Sequence, residues 1–159
     1  MSRRKPYFEP VPGAPPPVTA SVSCRITIGE VDALGIVWHG NYPFLFEKAA
    51  AELGDKCGLT YAAYRAASIG APLAQFHVDY CSPLYLDEII EVSAFLHWSE
   101  GARLNMEFAI RNSKGETACT AYSVQLFVDL ATREPLFCSP ELWENCKKRW
   151  LAGEFHREE

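Results

Sequence analysis

The sequence predicts an α+β fold in which an antiparallel sheet wraps around one long apolar helix. Three observations carry this. A run of period two from Val18 to Ile28 reads as a strand with one wet face. The stretch from Phe44 to Leu53 is apolar or small around much of its circumference, so that helix needs deep burial. Four further alternating runs follow, joined by turn signals, and a sheet curved round a helix buries the apolar faces of both.

The elements follow in order. Residues 1–17 carry Pro6, Pro10, Pro12, Pro15, Pro16 and Pro17 around Gly13, a composition that forms neither helix nor ladder, so they read as a flexible arm. One domain should cover residues 18–159. In its first strand Ala20, Val22, Cys24, Ile26 and Ile28 alternate with Ser21, Ser23, Arg25 and Thr27, and Gly29 marks a bend or bulge. Asn41 is placed to cap the long helix, Pro43 suits its first turn and Gly54 its end. A short helix is expected from Thr60 to Ser68, stopped by Gly70 and Pro72.

The second half alternates Ala74, Phe76, Val78 and Tyr80, then Ile90, Val92, Ala94 and Leu96, then Leu104, Met106, Phe108 and Ile110. Pro83 and Ser99-Glu100-Gly101 separate these runs. Asn112-Ser113-Lys114-Gly115 is a hairpin loop into Ala118, Thr120, Tyr122, Val124, Leu126 and Val128. Residues Pro140 to Leu151 predict a terminal helix.

Composition narrows the function classes. With 48% hydrophobic residues in 159, the chain has material for one substantial core. A net charge of −5 speaks against a nucleic-acid partner, which calls for a basic stripe. No apolar run approaches the roughly 20 residues of a membrane span, and the basic start Ser2-Arg3-Arg4-Lys5 lacks the apolar stretch of a signal peptide. Six cysteines lie far apart with no C-x-x-C pair, which suits reduced, mostly buried thiols in a cytoplasmic protein.

The chemistry concentrates in Glu30-Val31-Asp32-Ala33-Leu34-Gly35-Ile36-Val37-Trp38-His39-Gly40-Asn41-Tyr42. It sets an acid at a strand end, then a glycine loop, then a histidine at the mouth of a helix. A carboxylate serves as base or nucleophile, and the first free N–H groups of a helix hold a developing negative charge. Those parts suit acyl transfer. Glu30, two residues from Asp32, would raise one pKa if the two shared a face. Glu47 on the helix is an alternative acid or, on the plainer reading, a buried hydrogen-bonded one. His77, Asp79 and His97 lack the spacing of a metal set, and no metal is expected. Trp38, Phe44, Phe46, Phe76 and Trp98 are candidates for a pocket wall as well as for core. Arg111, Lys114 and Arg133 near turns are candidates to meet a nucleotide.

Asp32, Gly35, Val37, His39, Tyr42 and Glu47, with Tyr80, Pro83, Asp87 and Gly101-Ala102 further on, form a pattern that resembles the hotdog-fold acyl-CoA thioesterases of the 4-hydroxybenzoyl-CoA thioesterase type. Among these it looks most similar to the short bacterial thioesterases associated with the Tol–Pal operon, and the likeness covers residues 22–136. The resemblance implies hydrolysis of a thioester to free acid and coenzyme A. Asp32 would be base or nucleophile and the backbone N–H at His39 the oxyanion site, with Gly40, Asn41 and Tyr42 beside the substrate. It also implies an acyl-CoA or acyl-carrier-protein substrate, no other cofactor, and a homodimer or homotetramer with the site at a subunit boundary. Arg103 stands where relatives often have a small hydroxyl residue. Two alternatives stand beside this reading: a non-catalytic acyl-CoA-binding module, and a hotdog dehydratase or hydratase, whose His-x-x-x-x-Pro-x-x-Pro-Gly pattern the chain lacks.

Overall fold

A computed structural model describes residues 6–156. The first strand, β1 (Val18–Arg25), leads through a 3-10 turn (Ile28–Glu30) and a second one (His39–Asn41) into α1 (Tyr42–Cys57). A short α2 (Tyr61–Ala66) and a two-residue strand β2 (Ile69–Gly70) follow. Then come β3 (Leu73–Tyr80), β4 (Ile89–His97), β5 (Arg103–Arg111) and β6 (Thr117–Leu126). The chain closes with β7 (Val128–Asp129), which pairs with β2, and α3 (Glu141–Leu151), the predicted terminal helix. The main sheet is antiparallel throughout, ordered β1-β4-β5-β6-β3, so β1 and β3 are its edges.

α1 lies along the inner face of that sheet, against β1 and β4. Its buried side chains Tyr42, Leu45, Phe46, Ala49, Leu53 and Cys57 recur at helical spacing. Phe46 stacks on Phe108 of β5 at 5.0 Å and meets Phe76 of β3 at 6.2 Å, while Tyr42 meets Tyr80 at 4.9 Å. Each large side chain so buried contributes on the order of 1.5–3 kcal/mol, which makes α1 and the sheet one cooperative unit.

Several local details differ from expectation. α1 runs past Gly54 to Cys57 and ends on Gly58, left-handed at φ 76°. A β-carbon on Gly54 would meet the Leu59 carbonyl oxygen at 2.8 Å, so this glycine allows a close approach rather than a stop. Gly29 belongs to the first 3-10 turn, not to a bulge, and Ile28 there points outward, 75% exposed. The predicted Thr60–Ser68 helix is shorter, with the Thr60 hydroxyl capping Ala63 N–H at 3.1 Å.

The phase of β6 is also corrected. Register pairs Phe108 with Ala121 and Met106 with Ser123, so the helix-facing set is Cys119, Ala121, Ser123 and Gln125. Tyr122 faces outward, where the arm covers it. Phe8 packs at 5.7 Å from Tyr122 and 5.3 Å from His97; Tyr7 packs at 5.0 Å from Tyr122. The Tyr7 and Phe8 N–H groups donate to Glu107, and the Tyr7 hydroxyl bonds Asp79 and Thr120. Further along, Pro16 accepts from the Trp150 indole at 2.9 Å. An outer face covered in this way carries apolar residues of its own, and this hid the true phase.

α3 turns Trp143, Cys146, Lys147 and Trp150 inward. Lys147 is buried, but its ammonium pairs with Glu144 at 2.7 Å and lies over the Trp98 ring. All six cysteines are free thiols: Cys57, Cys119 and Cys146 are buried, Cys24 is half-buried, and Cys81 and Cys138 are exposed, fewer buried than expected.

Candidate active site

Asp32 stands on a short hairpin. Trp38 N–H donates to Glu30 at 2.9 Å, Val31 bridges Val37, and Asp32 N–H donates to Ile36 at 2.9 Å. Gly35 closes the turn at φ 74°, a backbone shape that glycine adopts without strain. The half-buried Asp32 carboxylate accepts the Leu34 N–H at 2.7 Å, an Asx turn that orients it. A further bond from Val37 N–H to Leu84, at 2.9 Å, fastens the hairpin to the loop before β4.

The second limb of the hairpin runs straight into the turn that opens α1. Among the described residues, no hydrogen bond engages the N–H of His39 or of Gly40. Two adjacent donors thus stand free at a helix start, where the dipole also favours negative charge. Asn41 does not cap the helix with its side chain. Its backbone is already helical, at φ −91° and ψ −12°, whereas a capping side chain needs an extended one. Its amide instead donates to the Glu30 carbonyl at 2.9 Å, bracing the two 3-10 turns. A β-carbon on Gly40 would lie 2.3 Å from the Trp38 ring, so the indole lies flush against this backbone.

Around these donors the side chains divide by role. The His39 side chain is exposed, beside Trp38 at 5.0 Å. Tyr42 is buried, and burial pushes its hydroxyl up to about 12, which suits packing rather than proton donation. The Tyr80 hydroxyl donates to the His39 carbonyl at 2.9 Å. Glu30 is engaged by Thr27 and Lys48. Burial would raise its carboxyl, but hydrogen bonds from Thr27 and the charge of Lys48, 3.5 Å away, hold it below the usual range. Glu47 is exposed rather than buried, and accepts the Tyr61 hydroxyl at 2.9 Å.

Alongside α1 lies a cavity of about 940 Å³, bounded by Pro43 and Phe46 near the helix start and by Gly54, Leu59 and Tyr64 at the far end. Phe76, Leu104, Met106 and Ser123 form its sheet wall, and Glu47, Tyr61 and Arg133 border it as well. The cavity lies between helix and sheet; Pro43 is its lining residue nearest the helix start, and Asp32, His39 and Gly40 are not part of its lining. Of the proposed wall residues, Phe46 and Phe76 line it; Trp38 and Phe44 are exposed near the hairpin, and Trp98 packs against Trp150 at 5.4 Å. The space itself was missed in the sequence, as was Ser123, hidden by the reversed phase of β6.

The remaining candidates lie elsewhere. His77 and Asp79 pair at 3.1 Å on the outer face, as do His97 and Glu107 at 3.6 Å, and no metal-ready group of three or more occurs among the described residues. Arg103, Arg111 and Lys114 are exposed at strand ends and in the hairpin loop. No helix among the described residues is long and apolar enough to cross a membrane.

A five-stranded antiparallel sheet wrapped on one long helix defines a protein of the hotdog fold. The chain belongs to the Thioesterase-like superfamily, whose family model matches residues 26–146. It is 25% identical over 112 residues, 70% of this chain and 81% of the other, to YneP of Bacillus subtilis (strain 168), which is named as a candidate acyl-CoA thioesterase. Among solved structures it matches a DHNA-CoA thioesterase from Staphylococcus aureus with a TM-score of 0.74 and 23% identity, covering 89% of this chain and 96% of that one. A second Staphylococcus aureus protein, SAV2348, solved in complex with CoA, matches with a TM-score of 0.73 and 16% identity over 92% of this chain and 88% of that one.

Proposed function

We propose that this protein hydrolyses an acyl-CoA thioester to the free acid and coenzyme A, with Asp32 as base or nucleophile and the His39 and Gly40 N–H groups as the oxyanion site. The observation that carries this is the pair of unengaged donors at the end of the same hairpin that holds Asp32. In the base route Asp32 takes a proton from water as its oxygen attacks the carbonyl carbon. The resulting oxyanion is stabilised by the two donors, and collapse breaks the C–S bond, with the proton passing to the departing thiolate. In the nucleophile route the Asp32 carboxylate attacks the carbonyl carbon, and the C–S bond breaks to expel the coenzyme A thiolate and leave a mixed anhydride. Water then cleaves the anhydride to the free acid and the Asp32 carboxylate, its proton passing to the thiolate. Both use the same two donors. Gly40, Asn41 and Tyr42 shape the substrate's edge, and the cavity along α1 takes the acyl group.

The working unit is a homodimer. β3 is a free sheet edge bearing exposed Leu73, Phe76 and Tyr80, a template for a second copy of itself. Six free thiols suit a reducing cytoplasm.

Release of free thiol from short-chain, long-chain and aryl CoA thioesters tests this, with Asp32→Asn beside wild type. A loss of a thousandfold or more in the variant is expected. Unchanged turnover would move the chemistry to Glu47. Tight binding without hydrolysis would make the protein an acyl-CoA-binding module.

A further inference from the structure

The sheet wall of the cavity is apolar except on β6. Ser123 faces inward between Phe76 and Met106, its cross-strand partners, and is 3% exposed. Among the described residues its hydroxyl makes no hydrogen bond, although it borders the cavity. Gln125, two residues on and on the same face, also borders the space with an unengaged side chain. The hydroxyl is open to the cavity rather than sealed in the core, so it is a polar group offered to whatever fills an otherwise apolar stretch of wall.

Its position sets what that partner is. Phe46, beside Phe76, stands four residues beyond Tyr42, about 6 Å along the helix. Tyr80 and Phe76 are likewise four residues apart on β3, about 13 Å along the strand. Ser123 therefore lies several bonds beyond a thioester carbonyl at His39 and Gly40. The cavity continues past it to Gly54 and Leu59, so it has room for an acyl chain that runs on beyond Ser123.

We infer that the acyl group is a long apolar chain bearing a hydroxyl near its middle, and that Ser123, with Gln125 behind it, is the residue that selects it. This rests on the thioesterase reading above and names the substrate class of that site. Ser123 makes contact with the substrate but takes no part in the bond-breaking step, so its effect is read in the ratio of kcat/KM between a hydroxylated and a plain chain.

The test compares wild type, Ser123→Ala and Ser123→Thr on two CoA thioesters of equal chain length, one saturated and one with a mid-chain hydroxyl. Wild type should favour the hydroxylated chain roughly tenfold in kcat/KM, the value of one hydrogen bond. Ser123→Ala should bring the ratio of the two kcat/KM values to about one, and Ser123→Thr should keep the preference. Equal rates on both chains in wild type, or a preference that survives in Ser123→Ala, overturn the inference. So does hydrolysis of short or aryl thioesters with neither long chain turned over, which would leave the thioesterase reading standing. If no thioester is hydrolysed that reading falls, and calorimetric binding of the same two esters decides for Ser123. A preference for the hydroxylated ester that Ser123→Ala abolishes supports the inference; equal affinities overturn it.

Discussion

The hydroxyl of Tyr80, at the end of edge strand β3, donates to the backbone carbonyl of His39 at 2.9 Å. One bond thus ties the sheet edge to the turn whose N–H groups are the proposed oxyanion donors. Tyr80→Phe should cost little stability, about 0.5–1 kcal/mol, because the tyrosine is half-exposed. The Tm should fall by no more than about 3 °C. kcat/KM should fall further, roughly tenfold, because donors freed to shift lose alignment. Thermal melting and steady-state kinetics on one variant separate the two effects.

Gly40 bears the Trp38 ring closely enough that any side chain there displaces the indole. Trp38 is 47% exposed and free to swing outward, so Gly40→Ala should fold normally. Its kcat/KM should drop ten- to a hundredfold as the turn adjusts. Adding Trp38→Ala removes the obstacle, and the double variant should recover most of that loss. A double variant no better than Gly40→Ala would show that the ring plays no part.

Glu107 gives the fold an acid-sensitive contact. Burial would raise its carboxyl, but His97 beside it and the Phe8 and Tyr7 N–H groups hold it below its ordinary 4.5. A depressed folded pKa contributes stability above the ordinary value and loses it as pH falls through the folded one. Urea midpoints should therefore decline below about pH 4.5 more steeply in wild type than in Glu107→Gln. Parallel curves would remove Glu107 from the acid limb.

Thiol chemistry offers a direct check on packing. Cys81 and Cys138 are exposed, whereas burial pushes the Cys24 thiol up. A hydrogen bond with Cys57, together with burial, pushes Cys146 far above the reactive range. Native protein treated with iodoacetamide near pH 8 should be alkylated quickly at Cys81 and Cys138, with the others modified only on unfolding. Peptide mass spectrometry reads the sites.

The order of elements was legible because each carries its own period: alternation in β3, β4 and β5, and 3.6-residue spacing in α1. The Asp32-to-Tyr42 block was legible as chemistry because an acid, a glycine turn and a helix start lie within one short run. What was lost depended on distant parts of the chain. Tyr122 reads as core on β6, but it is apolar because Tyr7 and Phe8 cover it, more than a hundred residues away in sequence. That one inversion concealed Ser123. Asn41 looked like a cap because its residue type fits, and only the helical backbone before α1 rules the cap out.

The arm changes where this fold begins for anyone cutting the gene. Tyr7 and Phe8 grip Glu107, and Pro16 holds the Trp150 indole, so the first turn of sheet starts well after the first structural contact. A shortened version opening at Val18, the natural choice from strand boundaries, would strip Tyr122 and His97 of their cover and Glu107 and Asp79 of hydrogen-bond donors on the back of the sheet. Such a version should be the less stable protein in the test tube, and a tag placed ahead of residue 6 the safer way to handle this molecule.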